Sequence, residues 1–249
     1  MNLINGECLE ELKKIEDKSV DCFICDLPYQ ITALKWDKKI DLEKLWIEMK
    51  RIARNNKTPF FFFCNMRLAV ELINSNPKWF RYELIWYKPN SSCGHLHSGN
   101  MPMKNHELLL VFYKNLPVYN KEKYHKRILE VDYEKVSKDG LVYGRRHKQR
   151  KGNFGVKLYE NPLPKSVLFI PIENKMSQHK RFHATQKPQQ ILEWIIKYYT
   201  NEGDTILDPT MGSGSTGVAC KTLHRNFIGI ELDNKYFDVA NERINNLNK

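Results

Sequence analysis

Two short stretches place reactive side chains at spacings that suit chemistry. The first, DPTMGSGSTG from Asp208 to Gly217, carries G-x-G-x-x-G at Gly212, Gly214 and Gly217. Between a strand and a helix, such glycines let the backbone turn sharply and approach a ligand at the positive end of the helix. Glu231 lies 17 residues past Gly214, near the ~20-residue offset at which an acidic side chain accepts hydrogen bonds from ribose hydroxyls. The bare pattern fits NAD, FAD or S-adenosylmethionine, and its bland counterpart is a tight strand-helix turn.

The second stretch is Asp26-Leu27-Pro28-Tyr29, which follows the apolar run VDCFIC. It sets a carboxylate, a backbone carbonyl and an aromatic ring together at the carboxyl end of a strand. An exocyclic amine on a nucleobase is a poor nucleophile, because its lone pair is delocalised into the ring. Accepting hydrogen bonds from both of its N–H groups favours a pyramidal nitrogen with the lone pair released. Asp26 and the Leu27 carbonyl can do that, while Tyr29 offers a face for an extruded base. Taken alone, the tetrapeptide also reads as a strand-ending turn with a capping Asp.

Both motifs need elements to hold them, and hydrophobic periodicity predicts an alternating series. Strands are expected at Leu3 to Glu7, Val20 to Cys25, Thr58 to Cys64, Arg81 to Tyr87, His106 to Tyr113, Asp204 to Leu207 and Asn226 to Ile230. Helices are expected at Cys8 to Asp17, Asp41 to Arg54, Arg67 to Asn74, Pro188 to Tyr199, after Gly214 and from Tyr236. The run Phe60 to Phe63 reads as a central strand buried on both faces. Such alternation implies an α/β fold, a Rossmann-like, doubly wound and mostly parallel seven-stranded sheet. No strand follows the last strand-helix unit, so Leu3 to Glu7 is expected to complete that half, which makes the sheet circularly permuted. Residues 115–180 break the rhythm and read as a segment inserted between two halves of one core, 1–114 and 181–249.

The chain has 249 residues, 41% of them hydrophobic and 12% aromatic, enough to bury a real core. The apolar runs, Phe60 to Cys64 among them, are far below the ~18 residues that cross a bilayer. The start, MNLINGECLEELKK, lacks a basic flank followed by an apolar stretch, so no signal peptide is expected. Six cysteines show no paired framework, which suits a reducing cytoplasm. Cys22 and Cys25 form a C-x-x-C inside an apolar strand and read as buried, so no metal is expected. The net charge is +11, and residues 114 to 187 carry all of it, with 18 Lys plus Arg against 7 Asp plus Glu. The densest part is RRHKQRK, Arg145 to Lys151. A localised basic stretch is the footprint of a polyanion partner, although on charge alone a solvated loop explains it equally well.

Taken together and in this order, the motifs resemble β-class amino-group DNA methyltransferases. Asp26 to Tyr29 is similar to their D-P-P-Y, with Leu27 in place of the first proline but the carbonyl acceptor kept. Asp208 to Gly214 is similar to their D-P-F-x-G-S-G loop. HATQKP, His183 to Pro188, is similar to their H-P-T-Q-K-P, with Ala184 replacing a proline. RNFIGIELD, Arg225 to Asp233, is similar to the strand that carries their ribose-binding acid. WYKPN at Trp86 and MPMKNHELLLVFYK at Met101 resemble adenine-modifying members, phage-borne ones included.

The resemblance covers most of the chain outside 115–180, and it implies methyl transfer from S-adenosyl-L-methionine to N6 of an adenine flipped out of double-stranded DNA. It places Asp26, Leu27, Pro28 and Tyr29 at the amine. Asp208, Thr210, Gly212, Ser213, Gly214 and Glu231 would hold the cofactor, with Thr185 and Lys187 near its methionine end and Glu7 approaching its adenine. Residues 115–180 would then be the target-recognition segment. In this family Asp at the first catalytic position usually accompanies N6-adenine and Ser N4-cytosine, so N4-cytosine is the alternative product and structured RNA a more distant substrate. An NAD-dependent oxidoreductase leaves DLPY and HATQKP unexplained, and a non-enzymatic DNA-binding module explains only the charge. The resemblance also implies a cytoplasmic enzyme of a prokaryote or phage, a homodimer and a companion restriction enzyme.

Overall fold

The computed structural model describes residues 1–28, 39–125, 127–133, 141–142, 145–146, 154–159, 163–173 and 186–246. The chain forms two compact units, one made of Met1–Tyr119 with Lys165–Lys249, the other of Asn120–Pro164. The larger begins β1 (Asn2–Asn5), α1 (Cys8–Leu12), β2 (Cys22–Cys25), α2 (Leu42–Ile52), β3 (Phe60–Cys64), α3 (Met66–Ser75), β4 (Phe80–Tyr87) and β5 (His106–Phe112). The smaller holds α4 (Lys121–Tyr124), β6 (Arg127–Tyr133), β7 (Leu141–Val142), β8 (Arg145–Arg146) and β9 (Phe154–Tyr159), with β6 antiparallel to β9 and β7 antiparallel to β8. The larger resumes with β10 (Val167–Phe169), α5 (Gln189–Tyr199), β11 (Thr205–Asp208), α6 (Ser215–Thr222), β12 (Asn226–Glu231) and α7 (Asn234–Asn245).

Its sheet has eight strands in the order β1-β12-β11-β2-β3-β5-β4-β10. Every neighbouring pair is parallel except those of β5, which runs antiparallel to β3 and β4. The expected permutation is present, since β1 pairs in parallel with β12, Asn2 opposite Ile228 and Asn5 opposite Glu231. Seven strands was one too few. The eighth, β10, pairs with β4, Val167 opposite Ile85, and lies inside the stretch 115–180 read as an insertion. A three-residue strand is too short to reveal a period, and the compact inserted unit is narrower than expected.

Local chemistry explains most boundaries. Asp41 caps α2 by accepting from the N–H groups of Glu43 and Lys44. α1 stops at Leu12, short of the expected Asp17, because the Arg51 guanidinium takes the carbonyls of Leu12 and Ile15 at 2.9 Å each. Phe60 to Phe63 are fully buried in β3, as the unbroken apolar run predicted. Phe60 stacks on Phe23 at 4.6 Å, and Trp46 of α2 packs 5.4 Å from both Phe60 and Phe62. Burying each such ring contributes about 1.5–3 kcal/mol, so the catalytic edge stands on a rigid floor. Among the described residues, no helix is long and apolar enough to cross a membrane.

The placement of β11 beside β2 matters most for function. From β11 the chain runs through α6 to β12 on one side, and from β2 through α2 to β3 on the other. Open α/β sheets bind ligands beyond the carboxyl ends of the strands at such a reversal. Asp208 ends β11 and Asp26 follows β2 there, so the two motifs meet at the switch point.

Candidate active site

Asp26 is anchored from two directions. The Thr210 hydroxyl donates to its backbone carbonyl at 3.1 Å, linking the turn after β2 to the Gly-rich loop. On the side chain, Lys187 Nζ donates to Oδ2 at 2.7 Å. Lys187 also lies 3.4 Å from Glu107 Oε2, and Lys88 is ion-paired with the other oxygen of Glu107. Burial would pull the Lys187 ammonium below its ordinary range, but Asp26 and then Glu107 outweigh it and hold the group above that range. For Glu107, burial pushes upward, and Lys187 and Lys88 outweigh it, so its carboxyl is held below its ordinary range. Glu173 fixes the segment before α5, accepting from the Gln189 N–H at 2.7 Å and the Gln186 side chain at 2.8 Å.

The Gly-rich loop is organised from inside. Asp208 turns inward, accepting from the Thr210 N–H at 3.1 Å and the Thr216 hydroxyl at 2.7 Å. Burial drives its carboxyl from an ordinary 3.8 up to about 7 despite those bonds. A pKa raised in the folded state favours the protonated native form, so this contribution is full below about pH 4 and is lost as pH rises through about 7. Asp208→Asn cannot ionise. On raising pH from 4 to 8 it should therefore lose less stability than the wild type, by up to about 4 kcal/mol, read as the difference in urea midpoints.

Glu231 braces the same loop from the end of β12. Its carboxylate accepts from the Gly212 N–H at 2.9 Å and from the Asp233 N–H at 2.8 Å. Gly212 and Gly214 both adopt positive φ, 52° and 77°. Gly214 also packs: a Cβ there would come within 2.8 Å of the Ala240 Cβ in α7. Gly217 serves the same end, since a Cβ would crowd Ile244 and come within 2.8 Å of the Phe227 ring. The second glycine of the pattern therefore faces a helix, although its residue type suggested a backbone approach to ligand.

A cleft of about 500 Å3 joins these parts. Of the expected residues, Glu7, Asp26, Leu27, Pro28, Lys187 and Asp208 line it, as do Thr210, Gly212, Ser213 and Glu231. Gly214 does not line it. Tyr29 and Thr185 lie outside the described residues, as do His147, Arg150 and Lys151 of the basic run. Lys187 stands at the Asp26 end of the cleft. Glu7 caps α1 by accepting from the Glu10 N–H at 3.0 Å and lines the opposite end with Cys8, Leu9 and Tyr236. Sequence reasoning passed over Glu107, Lys88 and Gln186. For Glu107 the signals were its place in MPMKNHELLLVFYK and an acidic residue near the start of an otherwise apolar strand, HELLLVF.

Comparison with known proteins identifies the family. The family described as DNA methylase (N6_N4_Mtase) matches residues 20–242. The chain is 26% identical to the type II methyltransferase M.HinfI of Haemophilus influenzae, over 97% of this chain and 67% of that protein. It is also 26% identical to the DNA adenine methyltransferase YhdJ of Escherichia coli (strain K12), over 97% and 82%. Among solved structures, the M1.HpyAVI–SAM complex is similar with a TM-score of 0.66 at 24% identity, covering 98% of each chain. The cytosine-N4-specific PvuII DNA methyltransferase is similar with a TM-score of 0.70 at 13% identity, covering 99% of this chain and 87% of that one. At these identities the two structures speak for the fold alone.

Proposed function

We propose, since the chain belongs to the DNA methylase family, that it methylates N6 of an adenine extruded from duplex DNA, with S-adenosylmethionine as methyl donor. One observation carries the reading: the Asp26 turn and the Gly-rich loop share one cleft at the switch point and are tied together by Thr210.

The cleft fits the donor molecule in size and chemistry. Small-molecule sites typically enclose roughly 300–1,000 Å3, and this one offers a carboxylate at one end and apolar walls from Leu9, Ile24 and Leu192. Each Glu231 oxygen uses one lone pair on a backbone N–H and keeps another for a ribose hydroxyl. Glu7, Cys8, Leu9 and Tyr236 would enclose the adenine end. When bound, S-adenosylmethionine supplies an electrophilic methyl group. Asp26 and the Leu27 carbonyl accept the two N–H groups of the target amine, which frees its lone pair, and Asp26 then takes the proton that the amine sheds. Tyr29 is assigned to stack on the extruded base.

Adenine is favoured over cytosine by Asp26 and by the adenine-specific name of YhdJ. The same reading gives the basic unit Asn120–Pro164 the task of contacting DNA, and assigns a cytoplasmic setting, a homodimer and a companion restriction enzyme on family grounds. The test pairs calorimetry with labelled methyl transfer. S-adenosylmethionine should bind and NAD should not, and tritium should enter duplex DNA in preference to RNA. Tight NAD binding without methyl incorporation would overturn the reading.

A further inference from the structure

The charges behind Asp26 go beyond that function while resting on it. Lys187, Glu107 and Lys88 come from three separate segments, yet they form one series of ion pairs that reaches Asp26. The Lys187 side chain is only 7% exposed, and its Nζ lies 5.2 Å above the Phe63 ring. An ammonium enclosed in this way is sustained by its carboxylates and not by water.

We propose that Lys187 is a positioning residue for methyl transfer: shared between Asp26 and Glu107, it keeps Asp26 ionised and oriented to accept the target amine's N–H. The family resemblance gives Lys187 a different task, at the methionine end of the donor. The surroundings of Asp26 explain why a cation is needed there. Among the described residues, Asp208 faces it from the end of β11 and Glu107 from β5 shares Lys187 with it, while Lys88, which follows β4, is ion-paired with Glu107. The thiols of Cys25 and Cys64, which also face it, are pushed upward by burial and carry no charge near neutrality. The ionised Glu107 disfavours a second negative charge beside it, as does partial burial, and Asp208, which burial keeps protonated up to about 7, adds its own repulsion only above that pH. A protonated Asp26 would present a hydroxyl that donates, which is the wrong polarity for holding an N–H. Lys187 at 2.7 Å offsets that pressure, and Glu107 restrains how much of the ammonium Asp26 receives.

The test is the pH dependence of kcat/KM for DNA methylation, read alongside S-adenosylmethionine affinity by calorimetry. An opposite charge within ~4–6 Å shifts a carboxylate by roughly 1–3 pH units, so Lys187→Met should move the acid limb upward by about that much. It should lower kcat as well, with donor affinity kept within a few fold. Lys187→Arg should hold the limb near its wild-type position. Adding Glu107→Gln to Lys187→Met should bring the limb part of the way back, because one repelling carboxylate is gone; a purely structural role predicts no such reversal. An unmoved limb in Lys187→Met overturns the proposal, and a tenfold loss of donor affinity with the limb unmoved returns Lys187 to the donor. A wild-type protein that makes no methyladenine would overturn the function instead, so the two failures are distinct.

Discussion

Asp26→Ala is expected to lower kcat for DNA methylation about a thousandfold or more, the scale of losing a positioned proton acceptor and its electrostatic support. Donor affinity should stay within a few fold of wild type. The separation follows from how Asp26 is held. Thr210 bonds to its backbone carbonyl, not its side chain, so the link between the turn and the Gly-rich loop survives truncation. The carboxylate lost is the group assigned to the amine. Lys187 keeps Glu107 as a partner at 3.4 Å, so no buried ammonium is left alone. Asp26→Asn should fall between, since its amide oxygen still accepts one N–H but cannot take the proton. Single-turnover methylation with calorimetric donor binding measures both parts, and a kcat within tenfold of wild type would remove Asp26 from the chemistry.

Glu231→Ala should do the converse, weakening donor binding about a hundredfold while kcat at saturating donor stays within tenfold. Two backbone N–H groups, from Gly212 and Asp233, depend on this carboxylate. Hydrogen bonds to a charged group contribute about 1.5–3 kcal/mol each, so losing both loosens the turn on which the donor rests. The ribose contact assigned to Glu231 disappears as well. Glu231→Gln should cost about tenfold, because its amide oxygen can serve one N–H while its NH2 opposes the other. Equal affinities for Glu231→Ala and wild type would contradict the assignment.

How much of this was legible in the sequence depended on whether the signal was local. Periodicity located α2 and β3, and the unbroken run Phe60 to Phe63 identified a strand buried on both faces. Gly212, Gly214 and Gly217 announced a strand-helix turn through their spacing. Even the permuted sheet was readable, because the final strand-helix unit lacked a following strand and Asn2–Asn5 supplied it. Long-range contacts were not readable. Arg51 ends α1 from 39 residues away, and β10 is visible only once β4 offers it an edge. Gly214 looked like a ligand-facing glycine, yet what it must avoid is Ala240 of α7. Lys187 shows the limit most clearly. Its motif assigned it to the donor, and only the fold sets it against a carboxylate 161 residues earlier.

The most direct test of the central claim is the identity of the methylated base. Duplex DNA incubated with the purified protein and methyl-labelled S-adenosylmethionine, then digested to nucleosides, should yield label only in N6-methyladenine. Asp26→Ala, assayed in parallel, should yield almost none. Label in N4-methylcytosine, or full labelling by Asp26→Ala, would contradict the account.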